Sequence, residues 1–564
     1  MSRMSDGAAL SDGDLLLLET AHPRFDAARD ELAPIAETVK TPEALHTYRL
    51  TPLSIWNAAA TGMRLEDVVG RLRRNLRLGL SPALEELVSS WFRRYGAIVL
   101  RASVGGLELE ARDDATLDRV LEDQEVRSII IERTGARARV PLEERGRLKQ
   151  ALVRTGYPAR DLAGYASFQP LDIRMKVPLR PYQQEALDAF FGSDEAGSGV
   201  LVLPCGAGKT VIGLAAIARV GCEALVVTSN TQAARQWARE AVEKTSLRED
   251  QVGEYSGAKK LVRPLTVTTY SLLITRPRGS SRDQTPPHLE LLSRAGFGMV
   301  VYDEIHLLPA PVFRATAAIQ AKRRLGLTAT LVREDGHEAD VFALVGPKRA
   351  EVAWKRLEAL RFLAEARCLE VRVPLAPSLR DRYAFAGLEE AFRIAATNPR
   401  KEEVALALME RHQDEPVLVI GTYLDQLERI SKASRSPLVT GATPEGERER
   451  LYRAFRTGEE KALCVSKVAN FAIDLPDASV AIELSGTYGS RQEEAQRLGR
   501  VLRPKSDGRG ALFYALVTDE TRELDMAQRR QRFLLEQGYR YDVLAASELL
   551  ASSADPALGL GPAR

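Results

Sequence analysis

The strongest constraint on the fold is a texture that begins near Val177. From there, short continuous apolar runs alternate with helical patterns, and several runs end in small, hydroxyl or acidic residues. A first series covers 200–203, 224–227, 265–268, 299–302 and 325–327. A second covers 417–420, 438–439, 462–465, 480–484 and 511–517. A run apolar at every position has both faces buried, which is the mark of a parallel strand covered by helices on each side. Two series, divided near 350–375, predict two α/β lobes, at 174–352 and 353–544.

The residues before them, 1–173, read as an α+β accessory region. The span 65–88 has a helical pattern; 97–101, 107–111 and 127–132 read as strands and 142–154 as a helix. The first dozen residues and 545–564 read as loose tails, and 275–290 as a surface loop. No solenoid-type repeat is present.

Length and composition agree with several folded domains. The chain has 564 residues, 45% hydrophobic and 28% charged, which excludes a wholly disordered or collagen-like polymer. With 79 basic and 77 acidic residues the formal charge is +2, so any nucleic-acid surface must be local. Residues 1–173 carry 24 basic and 26 acidic residues, a net of −2. Four cysteines, Cys205, Cys222, Cys368 and Cys464, lack CxxC spacing, which argues against a zinc site or disulfide framework. No run approaches the ~20 apolar residues of a membrane span, and residues 1–13 lack the form of a signal peptide. The expected location is the cytoplasm.

The chemistry concentrates after the first strand, in Pro204-Cys205-Gly206-Ala207-Gly208-Lys209-Thr210. A glycine-rich turn running into a helix presents backbone N–H groups and a helix N-terminus to phosphate oxygens. Lys209 can reach the β- and γ-phosphates of ATP, and the Thr210 hydroxyl can hold Mg²⁺. Leu203 stands where the strict GxxxxGK[ST] pattern has its first glycine. Cys205 reads as a small loop residue. The run 298–302 ends in Asp303-Glu304-Ile305-His306, which puts two carboxylates at a strand's carboxyl end, where open α/β sheets bind ligands. Asp303 suits the metal and Glu304 the attacking water. For His306, a link between lobes and a plain structural hydrogen bond stand equal.

Two further elements fit the same chemistry. Leu327-Thr328-Ala329-Thr330 offers hydroxyls that could relay hydrogen bonds. In 490–503, Gln496, Arg500 and Arg503 share one helical face. Taken alone this reads rather as an amphipathic helix with a solvated basic face; paired with the first-lobe site, the arginines read as groups that stabilise charge on a γ-phosphate.

In order and wording these elements resemble the XPB family of superfamily 2 DNA helicases, in its shorter bacterial form. The resemblance rests on Leu179-Arg180-Pro181-Tyr182-Gln183, on 203–210, 302–310 and 325–335, on 465–476, 490–503 and 529–534, and on His46-Thr47-Tyr48-Arg49-Leu50-Thr51-Pro52-Leu53-Ser54-Ile55-Trp56-Asn57. It implies two RecA-like parallel-sheet lobes that close on Mg-ATP and step 3′→5′ along DNA. It further implies that Gln183, with Arg180 beside it, recognises adenine, and that Cys205, Gly206, Ala207, Gly208, Lys209, Thr210, Asp303 and Glu304 bind Mg-ATP. Thr328 and Thr330 would couple, Asp474 and Gln496 would face the nucleotide, and Arg500 and Arg503 would be its arginine fingers. Arg333, Glu334 and Asp335 match the element associated with opening duplex DNA. The region before 173 would engage DNA, and a repair nuclease or another repair protein is the implied partner, on nucleoid DNA. The residues 374–398 are too few for the large helical thumb of archaeal relatives. An RNA helicase, a duplex translocase that never separates strands, a non-catalytic DNA-binding scaffold and the motor subunit of a restriction nuclease are the rival readings.

Overall fold

The computed structural model describes residues 7–40, 45–163, 168–192, 198–204, 206–257, 259–277, 286–305, 319, 321–329, 338–352, 354–362, 366–466, 478–485, 511–525, 527 and 541–551. By internal contacts it divides into two units. One comprises Met1–Leu203 and Gly208–Val352, the other Pro204–Ala207 and Ala353–Arg564.

Within the first unit, three cores lie along the chain. Ala9–Asp12, Leu15–Glu19, Leu45–Arg49 and Glu37–Lys40 form a four-stranded antiparallel sheet in that order. Its core takes in Leu16, Leu18, Tyr48, Ile55 and Leu72. The expected N-terminal tail is thus a strand from Ala9, because Ala8 and Ala9 are buried in that core. The span 65–88 becomes two helices, Leu65–Asn75 and Pro82–Arg94, with Ser81 accepting from the Leu84 N–H as the cap of the second.

Next comes a five-stranded sheet containing Ile98–Ser103 and Gly106–Ala111. Of the strand expected at 127–132, the first half belongs to the helix Gln124–Ile129 and only Glu132 to a strand, Glu132–Thr134. Asp123 takes the Glu125 and Val126 N–H groups, and such a cap outweighs the β-branched residues that suggested a strand. The helix expected at 142–154 is present as Arg145–Arg154 after a short 3₁₀ turn.

The third core belongs to a seven-stranded, all-parallel sheet. Its order is Val252–Glu254, Leu265–Thr269, Ala224–Thr228, Met299–Asp303, Arg323–Thr328, Gly199–Val202, Lys348–Glu351. The five expected apolar runs are its five inner strands, and the two edge strands, short and polar, escaped the pattern. The expected loop at 275–290 is shortened by the helix Pro287–Arg294, which buries Leu289 and Leu292.

In the second unit, Leu438–Val439, Ala462–Ser466, Val417–Gly421, Val480–Glu483, Ala511–Thr518, Ala366–Val373 and Tyr541–Ala545 make another all-parallel sheet. Ala366–Val373 lies inside the expected divider. It is an inner strand, and its charged Arg367, Glu370 and Arg372 hid it. The expected tail at 545–564 begins as the helix Ala546–Ala551, whose Ala546 and Leu549 join this core. Between Val373 and Asn398 stand only short helices, Pro377–Leu379, Arg380–Phe385 and Leu388–Ala396.

Candidate active site

The first lobe's sheet aligns three strand ends. Val202 pairs with Thr328, and Asp303 pairs with Leu327 one residue away. Topology therefore brings the glycine-rich turn, Thr328 and the Asp303-Glu304 pair to one carboxyl edge, the edge at which parallel sheets bind ligands. Leu203 continues the ladder, its N–H donating to the Thr328 carbonyl at 2.8 Å, and its side chain is fully buried. The departure from glycine there is a core residue ending a strand, and the turn begins after it.

Gly206 and Gly208 lie at φ +81° and +76°, a left-handed conformation that a side chain disfavours. Gly208 is the N-cap of the helix Lys209–Val220. A Cβ added to Gly208 would stand 2.6 Å from the Gln183 Nε2. The expected adenine-reading glutamine is thus packed on the glycine-rich turn. Gln183 is 3% exposed, and its Oε1 accepts from the Arg180 N–H at 2.9 Å in a capping box that opens the helix Pro181–Phe191.

The acidic pair sits opposite. Glu304 has φ +51°, a conformation that costs a non-glycine residue about 1–2 kcal/mol. In that conformation its Oε1 lies 2.8 Å from the Lys209 Nζ, with both side chains largely buried. Burial, and then the neighbouring Glu304, push the Asp303 carboxyl up to about 6, against the opposing pull of Lys209 and a hydrogen bond from Trp237. The Trp237 Nε1–H donates to Asp303 Oδ2 at 2.9 Å, and the Tyr270 hydroxyl donates to the Asp303 carbonyl at 2.7 Å. Burial and the nearby Asp303 hold the Tyr270 hydroxyl well above its usual range.

Trp237 and Tyr270 were missed in the sequence because no motif spacing points to them; only the folded sheet brings their helices to Asp303. Gly213 was missed as well. A Cβ there would meet the Trp237 Cη2 at 2.5 Å and the Leu327 Cδ1 at 3.2 Å, so its absence makes room for the indole.

A divalent cation fits this donor set. Two adjacent carboxylates, one of them hard to ionise, form a site short of positive charge, and Thr210 in the first helical turn supplies a hydroxyl. Among the described residues no group of three or more His, Cys, Asp or Glu side chains could cage a metal. One carboxylate, a hydroxyl and substrate oxygens is the manner in which Mg²⁺ is held. Of the other expected site residues, Thr328 is fully buried beside the turn. Cys205, His306, Thr330, Arg333, Glu334, Asp335, Asp474, Gln496, Arg500 and Arg503 lie outside the described residues.

Comparison with known proteins finds matches along three stretches of the chain. Residues 357–558 match the model described as ERCC3/RAD25/XPB C-terminal helicase, residues 176–333 that of the type III restriction enzyme res subunit, and residues 10–135 that of a helicase conserved C-terminal domain. The restriction-enzyme likeness is confined to the first lobe, whereas whole-chain relatives lie elsewhere. A protein of Kineococcus radiotolerans named DNA 3′-5′ helicase XPB is 48% identical over 97% of this chain and 98% of its own length. Another of that name from Mycobacterium tuberculosis is 48% identical over 97% of this chain and 99% of its own. A putative DNA 3′-5′ helicase Rad25 of Halobacterium salinarum is 38% identical over 91% and 82%. With two parallel-sheet lobes, a glycine-rich turn whose Lys209 meets the Asp-Glu pair, and relatives matched over nearly their whole length, the chain belongs to the XPB family of superfamily 2 helicases.

Proposed function

We propose that this protein is an ATP-dependent DNA helicase or translocase, moving 3′→5′ and acting in DNA repair. The observation that carries the reading is the 2.8 Å pair between Lys209 and Glu304 at the carboxyl edge of the first lobe's sheet. Without nucleotide the two charges neutralise each other. Phosphate oxygens compete for Lys209, and its departure leaves the Glu304 carboxylate to orient and deprotonate water. The pair is then a latch that substrate binding opens.

Gln183 reads the adenine, held by the Arg180 N–H, while Gly206, Ala207 and Gly208, with Cys205, wrap the phosphates. Thr210 and Asp303 hold Mg²⁺, which when bound offsets phosphate charge. Arg500 and Arg503 complete the charge stabilisation, Asp474 and Gln496 line the nucleotide, and Thr328, Thr330 and His306 transmit its state. Arg333, Glu334 and Asp335 bear on strand opening, and residues 1–173 engage DNA. Contacts to backbone phosphates dominate the grip, so affinity falls with salt. The protein works in the cytoplasm on nucleoid DNA, with a repair nuclease or another repair protein as partner. Among the described residues no helix is long and apolar enough to cross a membrane.

A second reading, translocation on duplex DNA without strand separation, is favoured by the short helices between Val373 and Asn398, which offer no long element to wedge strands apart. Steady-state ATP hydrolysis without nucleic acid and with single-stranded DNA, duplex DNA or RNA, at two salt concentrations, tests the motor. DNA stimulation lost in Lys209→Ala is the expected result, and no stimulation by any of them overturns it. A strand-displacement assay on DNA and RNA duplexes then separates unwinding from translocation and DNA from RNA.

A further inference from the structure

The left-handed conformation of Glu304 needs a restraint, and the first lobe supplies one from two strands away. Glu304 stands at φ +51°, a region that a residue with a side chain seldom keeps unless its surroundings hold it there. The peptide joining Asp303 to Glu304 turns about ψ of the first residue and φ of the second. Its oxygen, the Asp303 carbonyl, accepts from the Tyr270 hydroxyl at 2.7 Å. With that oxygen fixed the peptide is kept from rotating, and Glu304 stays in place. Freed, Glu304 has the broad β region to relax into. Rotation not matched elsewhere in the backbone would then swing its carboxylate off the Lys209 Nζ, 2.8 Å away.

The sheet places Tyr270 for this contact. Thr269 pairs with Thr228 and Val227 with Tyr302, so the ends of the strands Leu265–Thr269 and Met299–Asp303 lie level with one strand between them. Two strand spacings, about 10 Å, separate them, and the long side chain one residue past Thr269 spans the gap. Thr269 caps the short helix Tyr270–Leu273 by accepting from the Leu272 N–H at 3.4 Å. The tyrosine is 5% exposed and belongs to the lobe's core, as do Leu273, Tyr302 and Ile305. A phenylalanine would fill nearly the same space. The hydroxyl, which costs free energy in such a place unless it is bonded, adds the bond to Asp303. Trp237 and Lys209 hold the carboxylates of Asp303 and Glu304; Tyr270 holds the backbone between them.

We propose that Tyr270 is a positioning residue for ATP hydrolysis: its hydroxyl fixes the Asp303–Glu304 peptide, so that Glu304 is held ready for water while Asp303 serves the metal. This rests on the reading of Glu304 as the group that activates water. Because the hydroxyl acts through the backbone and not on the nucleotide, its removal slows the chemical step without weakening nucleotide binding.

The test is Tyr270→Phe, which keeps the ring and removes the donor. In steady-state hydrolysis with saturating DNA, kcat should fall about tenfold and KM for ATP should stay within about twofold. The thermal midpoint should stay within about 4 °C of the parent's. Leu273→Ala, a core change on the same helix, is the comparison, and should lower the midpoint further while leaving kcat near the parent's. Parental kcat in Tyr270→Phe, or losses of kcat that follow lost stability in both variants, overturns the proposal. A Tyr270→Phe chain that no longer melts cooperatively would make the hydroxyl a folding contact and overturns it too. Glu304→Gln tells a failure here from a failure of the reading beneath it. Near-normal turnover in Glu304→Gln removes that reading, whereas turnover abolished there and parental in Tyr270→Phe removes the role of Tyr270 alone.

Discussion

Replacing Trp237 by Phe tests how Asp303 is controlled. The indole Nε1–H donates to Asp303 Oδ2 at 2.9 Å from a side chain only 2% exposed. Phenylalanine keeps much of the ring but has no donor. A buried hydrogen bond to a charged group contributes about 1.5–3 kcal/mol, which is roughly 10- to 150-fold in rate if the bond supports the ionised form through turnover. The loss should depend on pH. Asp303 sits at about 6 because burial and Glu304 disfavour its charge, and Trp237 opposes that rise. Without the donor the carboxyl moves higher still. A carboxyl raised in this way loses its charged, metal-holding form as pH falls through the raised value, so the acid limb of kcat/KM for DNA-stimulated ATP hydrolysis should move to higher pH. Activity should recover partly on the alkaline side. Gly213→Ala, whose new methyl would stand 2.5 Å from the Trp237 Cη2, should displace the indole and copy the shift. If Trp237→Phe lowers the rate equally at every pH and leaves the acid limb in place, the indole acts by packing alone and the electrostatic argument fails.

Other outcomes follow from the same structure. Lys209→Ala should abolish turnover, and Glu304→Gln should do so while retaining nucleotide affinity, measured by hydrolysis and equilibrium binding; near-normal DNA-stimulated turnover in either would refute the site. In the second lobe the Lys401 Nζ lies 2.7 Å from both Glu523 carboxylate oxygens with both side chains fully buried, so Lys401→Met, stranding a buried carboxylate, should destabilise that lobe by about 3–5 kcal/mol in thermal melts. Burial pushes the Cys222 thiol up to about 11 and the Cys464 thiol up to about 12, so mass spectrometry after brief alkylation at neutral pH should find both unmodified until denaturant is added. Arg333→Ala should reduce strand displacement more than hydrolysis; equal losses would count against a strand-opening role.

What the sequence disclosed, and what it hid, follows from where each residue's partners lie. All inner strands of both sheets but one were legible because burial on two faces leaves an unbroken apolar run, as in Val417–Gly421. Ala366–Val373 was not, since its Glu370 is buried against Arg372 and an ion pair reads as surface charge in a linear string. That the glycine-rich turn and the Asp303-Glu304 pair would come to one sheet edge was legible because each follows directly on an apolar strand. Trp237 and Gly213 were illegible because their role exists only after two helices pack on the same strands.

The N-terminal region shows the same limit at a larger scale. Its net charge of −2 gave no electrostatic reason to expect an anion partner. Folding sorts those charges. Glu31, Glu110 and Glu125 are taken up in exposed ion pairs, while Arg145 and Lys149 are nearly buried against Asp161. The motif stretch near residue 50 meets the first lobe. Asn57 Oδ1 accepts from the Lys348 N–H at 2.8 Å, and Phe342 packs between Trp56 and Tyr95 at centroid distances of 6.2 and 6.1 Å. Residues that look like a family signature in sequence are, in the fold, the contacts that dock the accessory region against the motor lobe. A summed charge cannot report where charged groups end up; the sum is blind to topology, and topology is what buries Arg145 and Lys149 together against Asp161.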